Sequence, residues 1–239
     1  VKPVDPKAYA LYLQARQLWQ YRTPEGLEQS IALYQQALAF DPNDAAAWSG
    51  LASSYISQAG DGLRPIEEGY SLAREAVQKA LEIDADHAPA YGLFGRIAME
   101  FDGEPAAAAR HLTHALALEP NDAETIRIAA YLARSLGRFD TAIALGEYVT
   151  GRDPVNAVGY VNLGYQYSYA GRLDDAIASH RTALSLSPGY SGAQYLIGVA
   201  LLLKGDPAGA LAAMQEETNE TWRLIGLPMA WHALGKQVE

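Results

Sequence analysis

The chain has 239 residues, a formal net charge of −10, no cysteine, and a hydrophobic share of 49%. That much apolar side chain excludes a disordered chain, and the missing thiols exclude a disulfide scaffold, a thiolate metal site and a cysteine nucleophile. The acidic balance argues against nucleic acid as a partner, because binding to phosphate draws on released counterions and needs clustered Lys and Arg.

The first segment, Val1-Lys2-Pro3-Val4-Asp5-Pro6, has no starting Met and no signal-peptide pattern. With the stop at Val238-Glu239 it reads as a piece of a longer protein. No apolar run comes near the ~20 residues that span a bilayer, so direct membrane insertion is not expected. Apolar helical runs then alternate with one recurring turn signal. It stands as Asp41-Pro42-Asn43-Asp44, Glu119-Pro120-Asn121-Asp122, Asp153-Pro154-Val155-Asn156 and Ser187-Pro188-Gly189-Tyr190, with Asp84-Ala85-Asp86-His87 filling the same role without proline. The markers at 42, 85, 120, 154 and 188 are 43, 35, 34 and 34 residues apart. Proline cannot continue the helix before it, and the Asp or Asn that follows can cap the next one.

The first unit lengthens its turn with Tyr21-Arg22-Thr23-Pro24-Glu25-Gly26, and the second gains about nine residues through Gln58–Pro65, whose glycines mark a long loop with a longer second helix after Pro65. The second unit carries Trp48, Leu51-Ala52 and Tyr55; the third Tyr91, Phe94-Gly95, Ala98, Ala108 and Pro120; the fourth Ile126, Ala129-Ala130, Gly137 and Ala142. The fifth is the clearest, with Tyr160, Leu163-Gly164, Tyr167, Gly171, Ala176, Ala183 and Pro188. The sixth has Ile197-Gly198, Leu201, Gly205 and Ala210, and a last apolar helix runs from Trp222 to Leu234 with Gly235 closing it.

These slots have a physical reading. Gly or Ala at 52, 95, 130, 164 and 198 lets a first helix approach the second closely, and Ala73, Ala108, Ala142, Ala176 and Ala210 do the same from the other side. A leucine there overpacks the crossing by roughly 1–3 kcal/mol. Gly137, Gly171 and Gly205 sit where the first helix must stop in the left-handed conformation. The last helix lacks a second one, which leaves an apolar face uncovered unless Trp222 and Trp231 pack back onto the sixth unit.

The pattern W-x2-L-G-x2-Y, an Ala, an aromatic and a closing Pro over 34 residues is that of the tetratricopeptide repeat (TPR), which nearly the whole chain resembles. The expected fold is therefore all-α, a solenoid of stacked helix-turn-helix units, and the resemblance implies a right-handed superhelix. A single solenoid over 1–239 is expected, with about six repeats and a partial seventh at 6–43, 44–86, 87–121, 122–155, 156–189, 190–220 and 221–239. The opening Ala8-Tyr9-Ala10-Leu11-Tyr12-Leu13-Gln14-Ala15-Arg16, followed by Arg22–Leu27, is similar to the TPR region at the C-terminal end of bacterial multidomain signalling proteins. In those, a nucleotide cyclase or winged-helix DNA-binding domain comes first; no residue here carries either chemistry. That context implies the cytoplasm, or the periplasm where a membrane helix precedes the module.

No phosphate loop, H-E-x-x-H or G-x-S-x-G is present in the sequence. His111 and His114 can share a helix face, but two imidazoles make no metal site; His180 fills an aromatic slot and reads as a core residue. Glu67-Glu68, Asp174-Asp175 and Glu216-Glu217 diverge by about 100° around a helix and read as solvated faces, not acid/base pairs. No catalytic residue, metal or cofactor is expected. Asn219-Glu220-Thr221 matches a glycosylation triplet that also arises by chance.

Binding remains, on the groove that the first helices line. In the third unit the lining is Arg96, Met99 and Glu100; in the fourth Arg127, Tyr131, Arg134 and Ser135. In the fifth it is Asn162, Tyr165, Ser168 and Tyr169, and in the sixth Tyr195, Val199 and Leu202. Arg and Tyr dominate binding hot spots, and Arg makes forked bonds to carboxylates. The expected partner is a protein or peptide carrying acidic groups or a free C-terminus; the bland alternative is that these side chains merely solvate a wide groove, with the arginines pairing to Glu100 or Glu124. Self-association into a homo-oligomer is the rival function, and a small-ligand binder or cryptic enzyme a weaker one.

Overall fold

The computed structural model describes residues 5–21 and 23–235, and among them thirteen helices and no strand. Several helix starts follow from local chemistry. Thr23 Oγ1 accepts from Gly26 N at 3.0 Å, ahead of Pro24 in the first turn of its helix. Asp44 Oδ1 accepts from the amides of Ala46 and Ala47, and Asn156 Oδ1 from Gly159 N at 2.9 Å. These are the donors a helix start leaves unpaired. Gly137, Gly171 and Gly205 have φ of +72°, +74° and +80°, the left-handed stops that their position demands.

The packing divides the chain into two compact units, Val1–Ile128 and Ala129–Glu239. In the first, α1 (Pro6–Tyr21) pairs with α2 (Pro24–Phe40), α3 (Ala45–Gly60) with α4 (Ile66–Ile83), and α5 (Ala88–Glu100) with α6 (Pro105–Leu118); α7 (Ala123–Ser135) begins here. The hairpins stack: α2 lies on α3, α4 on α5, and the first helices α1, α3 and α5 follow side by side. Ala52, Ala73 and Ala108 are fully enclosed at the crossings, and the core runs through Leu38, Leu51, Ile56, Val77 and Ile97. A continuous apolar layer along successive hairpins is the expected result, since no single hairpin can bury its own apolar face.

The stretch Gln58–Pro65 is only partly the loop that its glycines suggest. Helix α3 continues through Gly60, and residues 61–65 alone make the connection. Leu63 N donates to Gln58 O, and Arg64 Nε donates to Gln58 Oε1 while its guanidinium lies 5.4 Å from the Tyr55 ring. The insertion therefore lengthens both arms of one hairpin: α3 has 16 residues and α4 has 18, against 13 and 14 in α5 and α6, close to one turn each.

In the second unit α8 (Phe139–Arg152) packs on α9 (Ala157–Tyr169), which pairs with α10 (Leu173–Leu186). Next, α11 (Ala193–Leu203) pairs with α12 (Pro207–Gln215), and α13 (Glu220–Ala233) covers both. Ala142, Ala176 and Ala210 are again fully enclosed. His180 has no exposed surface, as its aromatic slot requires, and its ring lies directly over Gly164. A Cβ at Gly164 would collide with that ring, so the absence of a side chain there is a condition of the packing.

Glu217 departs from the solvated-face reading of the Glu216-Glu217 pair. It is 2% exposed and folds back across 25 residues to the start of α11. Its carboxylate accepts from Gly192 N and Tyr195 N, both at 3.2 Å, and from Asn219 N at 2.9 Å. Gly192, at φ +84°, brings its own amide to that carboxylate, and a Cβ there would press on the Trp222 indole. One buried carboxylate thus joins the start of α11 to the loop before α13.

Candidate binding groove

In the second unit, α9, α11 and α13 leave a groove of about 420 Å³ between them. Tyr165, Ser168 and Tyr169 face it from α9, being three and four residues apart on one side of that helix. Tyr195 and Val199 face it from α11, and Trp222 closes one side from α13. The Tyr195 and Trp222 rings stack with centroids 5.1 Å apart, so Trp222 packs against the sixth unit and also forms a wall of the groove.

Tyr169 is 60% exposed, and its ring has a cation beside it. The Arg134 guanidinium lies 4.5 Å from the Tyr169 ring centroid and 4.7 Å from that of Tyr131. Two tyrosine rings flank the guanidinium, an arrangement worth about 0.5–2 kcal/mol, without using up its hydrogen-bond donors. Its charge reaches the groove: burial pushes the Tyr165 hydroxyl above its usual range, Tyr190 and Tyr195 add to this, and Arg134 works against them.

The other sequence-predicted residues have different surroundings. Asn162 is half-buried on α9 and does not line the groove. Leu202 packs into the core around Met214 and Ala230, while Leu203, 65% exposed, takes a place on the groove wall with Leu196. In the first unit Arg96 is 8% exposed and gives its Nε–H to Glu100 Oε2 at 2.9 Å; the same oxygen accepts from the Tyr70 hydroxyl. Met99 is half-buried beside them. Arg127 bonds Glu124 through two nitrogens, at 2.8 and 2.5 Å. Arg96 and Arg127 therefore have a carboxylate on their own helix, whereas the guanidinium of Arg134 rests on tyrosines.

Sequence reasoning missed Leu196, Leu203 and the wall formed by Trp222. The spacing of 196, 199 and 203 is itself a helical face, but α11 is apolar all round, and periodicity alone cannot separate its groove side from its core side. His111 and His114 are ring partners of Phe94 and Tyr91, at centroid distances of 5.4 and 4.3 Å.

Hairpins nested through small residues, presenting aromatic and cationic side chains on first helices, define a helical-repeat scaffold. The tetratricopeptide repeat model matches residues 100–157 and 161–220, and a second TPR repeat model matches 26–58. The chain belongs to the tetratricopeptide repeat family. It is 27% identical over 168 residues to the transcriptional regulator HilA of Salmonella typhimurium, covering 70% of this chain and 30% of that protein. It is 29% identical over 143 residues to the protein FlbA of Caulobacter vibrioides, covering 60% of this chain and 24% of that one. The chain thus spans less than a third of the curated relatives it matches. Among solved structures, the anaphase-promoting complex hetero-tetramer Cut9–Hcn1 has the same fold, with a TM-score of 0.67 at 20% identity over 98% of this chain and 46% of that one. TPR repeats are protein-interaction scaffolds, and their fold is generally non-catalytic. No helix among the described residues is long and apolar enough to cross a membrane.

Proposed function

We propose that this chain is the partner-binding part of a larger regulatory protein, and that its second unit binds a peptide carrying an acidic group beside a large apolar side chain. The observation that carries this reading is the pairing of an apolar aromatic groove with Arg134, whose guanidinium lies on Tyr131 and Tyr169. The groove takes the apolar side chain; the held guanidinium takes the carboxylate, through a charge-assisted bond whose geometry is already set. A free C-terminal carboxylate presents the same chemistry. Arg96 and Arg127 shape the first helices through Glu100 and Glu124 and are not the anchors. The likeness to a transcriptional regulator over part of its length supports the regulatory context. No residue is assigned to catalysis and no cofactor is required.

Selection from a random peptide library, followed by calorimetry of the selected sequences, tests the reading. Selected peptides are expected to share an acidic residue next to Phe, Trp or Leu. Arg134→Ala is expected to weaken them at least tenfold, and Arg127→Ala less than threefold. Equal binding by parent and Arg134→Ala contradicts the assignment.

Self-association is a second reading, favoured by the outer face of α13, where Leu224, Ile225 and Met229 are exposed. Light scattering over a concentration series separates the two: a concentration-dependent mass that Ile225→Glu abolishes supports self-association.

A further inference from the structure

The first unit contains a cavity of its own, of about 160 Å³, where α1, α3, α5 and the start of α7 meet. It exists because α3 and α5 present almost no side chain there: Ser49, Gly50 and Ser53 on one helix, Gly92 on the other. The neighbours are folded into the space the glycines leave, the Tyr34 ring over Gly50 and the Thr125 side chain over Gly92. At about 30 Å³ per water, the remaining space holds roughly five.

Two polar atoms on this wall have no hydrogen-bond partner among the described residues, Ser49 Oγ and His87 Nε2. Ser49 is 5% exposed, and neither atom is reached by bulk water. The helix serines nearby are satisfied: Ser54 donates to Gly50 O, and Ser57 to Ser53 O while accepting from the Trp19 indole. A buried hydroxyl and an imidazole nitrogen left open are each costly enough that a native structure keeps them for a reason.

The chemistry of the wall selects the occupant. His87 Nδ1 is 3.9 Å from Asp84 Oδ2, too far for a hydrogen bond, and Nε2 has no partner among the described residues. Burial lowers the His87 pKa, against the pull of Asp84, Glu119 and Asp44, and the ring stays neutral at pH 7. Asp122 lines the same cavity, and its Oδ2 accepts from the amide and the hydroxyl of Thr125. The first unit as a whole carries eighteen acidic residues against ten basic ones. Tyr12, Trp19 and Tyr34 add aromatic surface. Arg16 is the exception, and it stands on α1, with α3 between it and the α5–α7 end.

We propose that this cavity is a second binding site, which takes a basic side chain of an extended partner segment. The ammonium or guanidinium is taken by the Asp122 carboxylate, with the Ser49 hydroxyl and the neutral His87 ring lining the same cavity and Arg16 left to the segment's carbonyl groups. The ligand polarity is the reverse of that in the second unit.

The test uses the full chain, labelled with nitrogen-15, titrated separately with N-acetyl-argininamide, N-acetyl-glutaminamide and N-acetyl-glutamate amide. The blocked arginine is expected to saturate in the millimolar range, with amide shifts centred on Ser49, His87, Gly92 and Thr125, at least tenfold more tightly than the other two. Ser49→Val fills the floor with methyl groups in place of the hydroxyl; it is expected to leave the circular dichroism unchanged and weaken blocked arginine about tenfold. His87→Phe, which keeps a ring without the acceptor, is expected to do the same. Equal binding of blocked glutamine, a preference for blocked glutamate, no saturable binding, or unchanged affinity in both variants overturns the proposal. Peptides selected on the second unit serve as the control, because Ser49→Val leaves their affinity unchanged whether or not the first site exists.

Discussion

Glu217→Ala is expected to lower stability by about 3 kcal/mol, read as a shift of the urea midpoint followed by tryptophan fluorescence. The carboxylate is buried and accepts from three backbone amides, two of them at the start of α11. Hydrogen bonds to a charged group contribute about 1.5–3 kcal/mol each, and an amide left buried without an acceptor costs about 1–3 kcal/mol. The sum is not additive, because Asn219 is two residues away and water can enter a vacated site. Glu217→Gln keeps the shape and one acceptor oxygen but turns an NH2 group towards amide donors, so it is expected to recover less than half of the loss. The change also reaches function. Tyr195 and Trp222 line the groove and flank the capped segment, so the alanine variant is expected to bind the selected peptides more weakly than its folded fraction explains. A midpoint within experimental error of the parent contradicts the role given to this carboxylate.

His180→Leu is expected to do the opposite, raising stability and removing part of its pH dependence. His180 has no exposed surface, and neither ring nitrogen has a partner among the described residues. Replacing an unsatisfied polar ring by an apolar side chain of similar size is expected to gain about 1 kcal/mol at pH 7. Burial lowers the His180 pKa from 6.5 to about 4. In the unfolded chain the ring takes a proton near 6.5; in the folded chain it resists until about pH 4. The unfolded state therefore binds more protons across that window, so stability is full above pH 6.5 and is lost as pH falls towards 4. The loss by pH 4 is on the order of 3 kcal/mol for this one group. Carboxylates titrate in both proteins, so the quantity to read is the difference between variant and parent in urea midpoints at pH 7.5, 5.5 and 4.5. It is expected to grow steadily as pH falls; a constant difference contradicts a neutral buried ring.

The repeat was legible because its signals are local and recur. A proline after an apolar run, a glycine at +72° to +80° and an alanine at a crossing each act within a few residues, and spacing near 34 makes them reinforce one another. His180 was legible for the same reason, as a ring in an aromatic slot opposite Gly164. In the second unit the longer helix after Pro65 was legible, but the loop before it is shorter than its glycines suggest, because glycine in a helix end and glycine in a loop look alike and Leu63 and Arg64 tie back to Gln58. Glu217 was illegible because its partners lie 22 and 25 residues away, and nothing near it in sequence marks it as buried. The groove was legible in part. Counting round a helix brought Tyr165, Tyr169 and Tyr195 to one face, but which arginine is neutralised by its own helix is a matter of rotamers. Arg127 reaches back three residues to Glu124, while Arg134 lies between two rings instead. Ser49 and His87 were missed because a cavity belongs to four helices at once.

Charge reversal at Arg134 tests most directly its proposed role as the charged anchor of the groove. Calorimetry compares the parent and Arg134→Glu against two peptides that differ only in carrying Glu or Lys beside the same apolar residue. The parent is expected to prefer the acidic peptide, and Arg134→Glu the basic one, each by about tenfold or ~1.4 kcal/mol. The same preference in both proteins, whichever peptide it favours, contradicts the account.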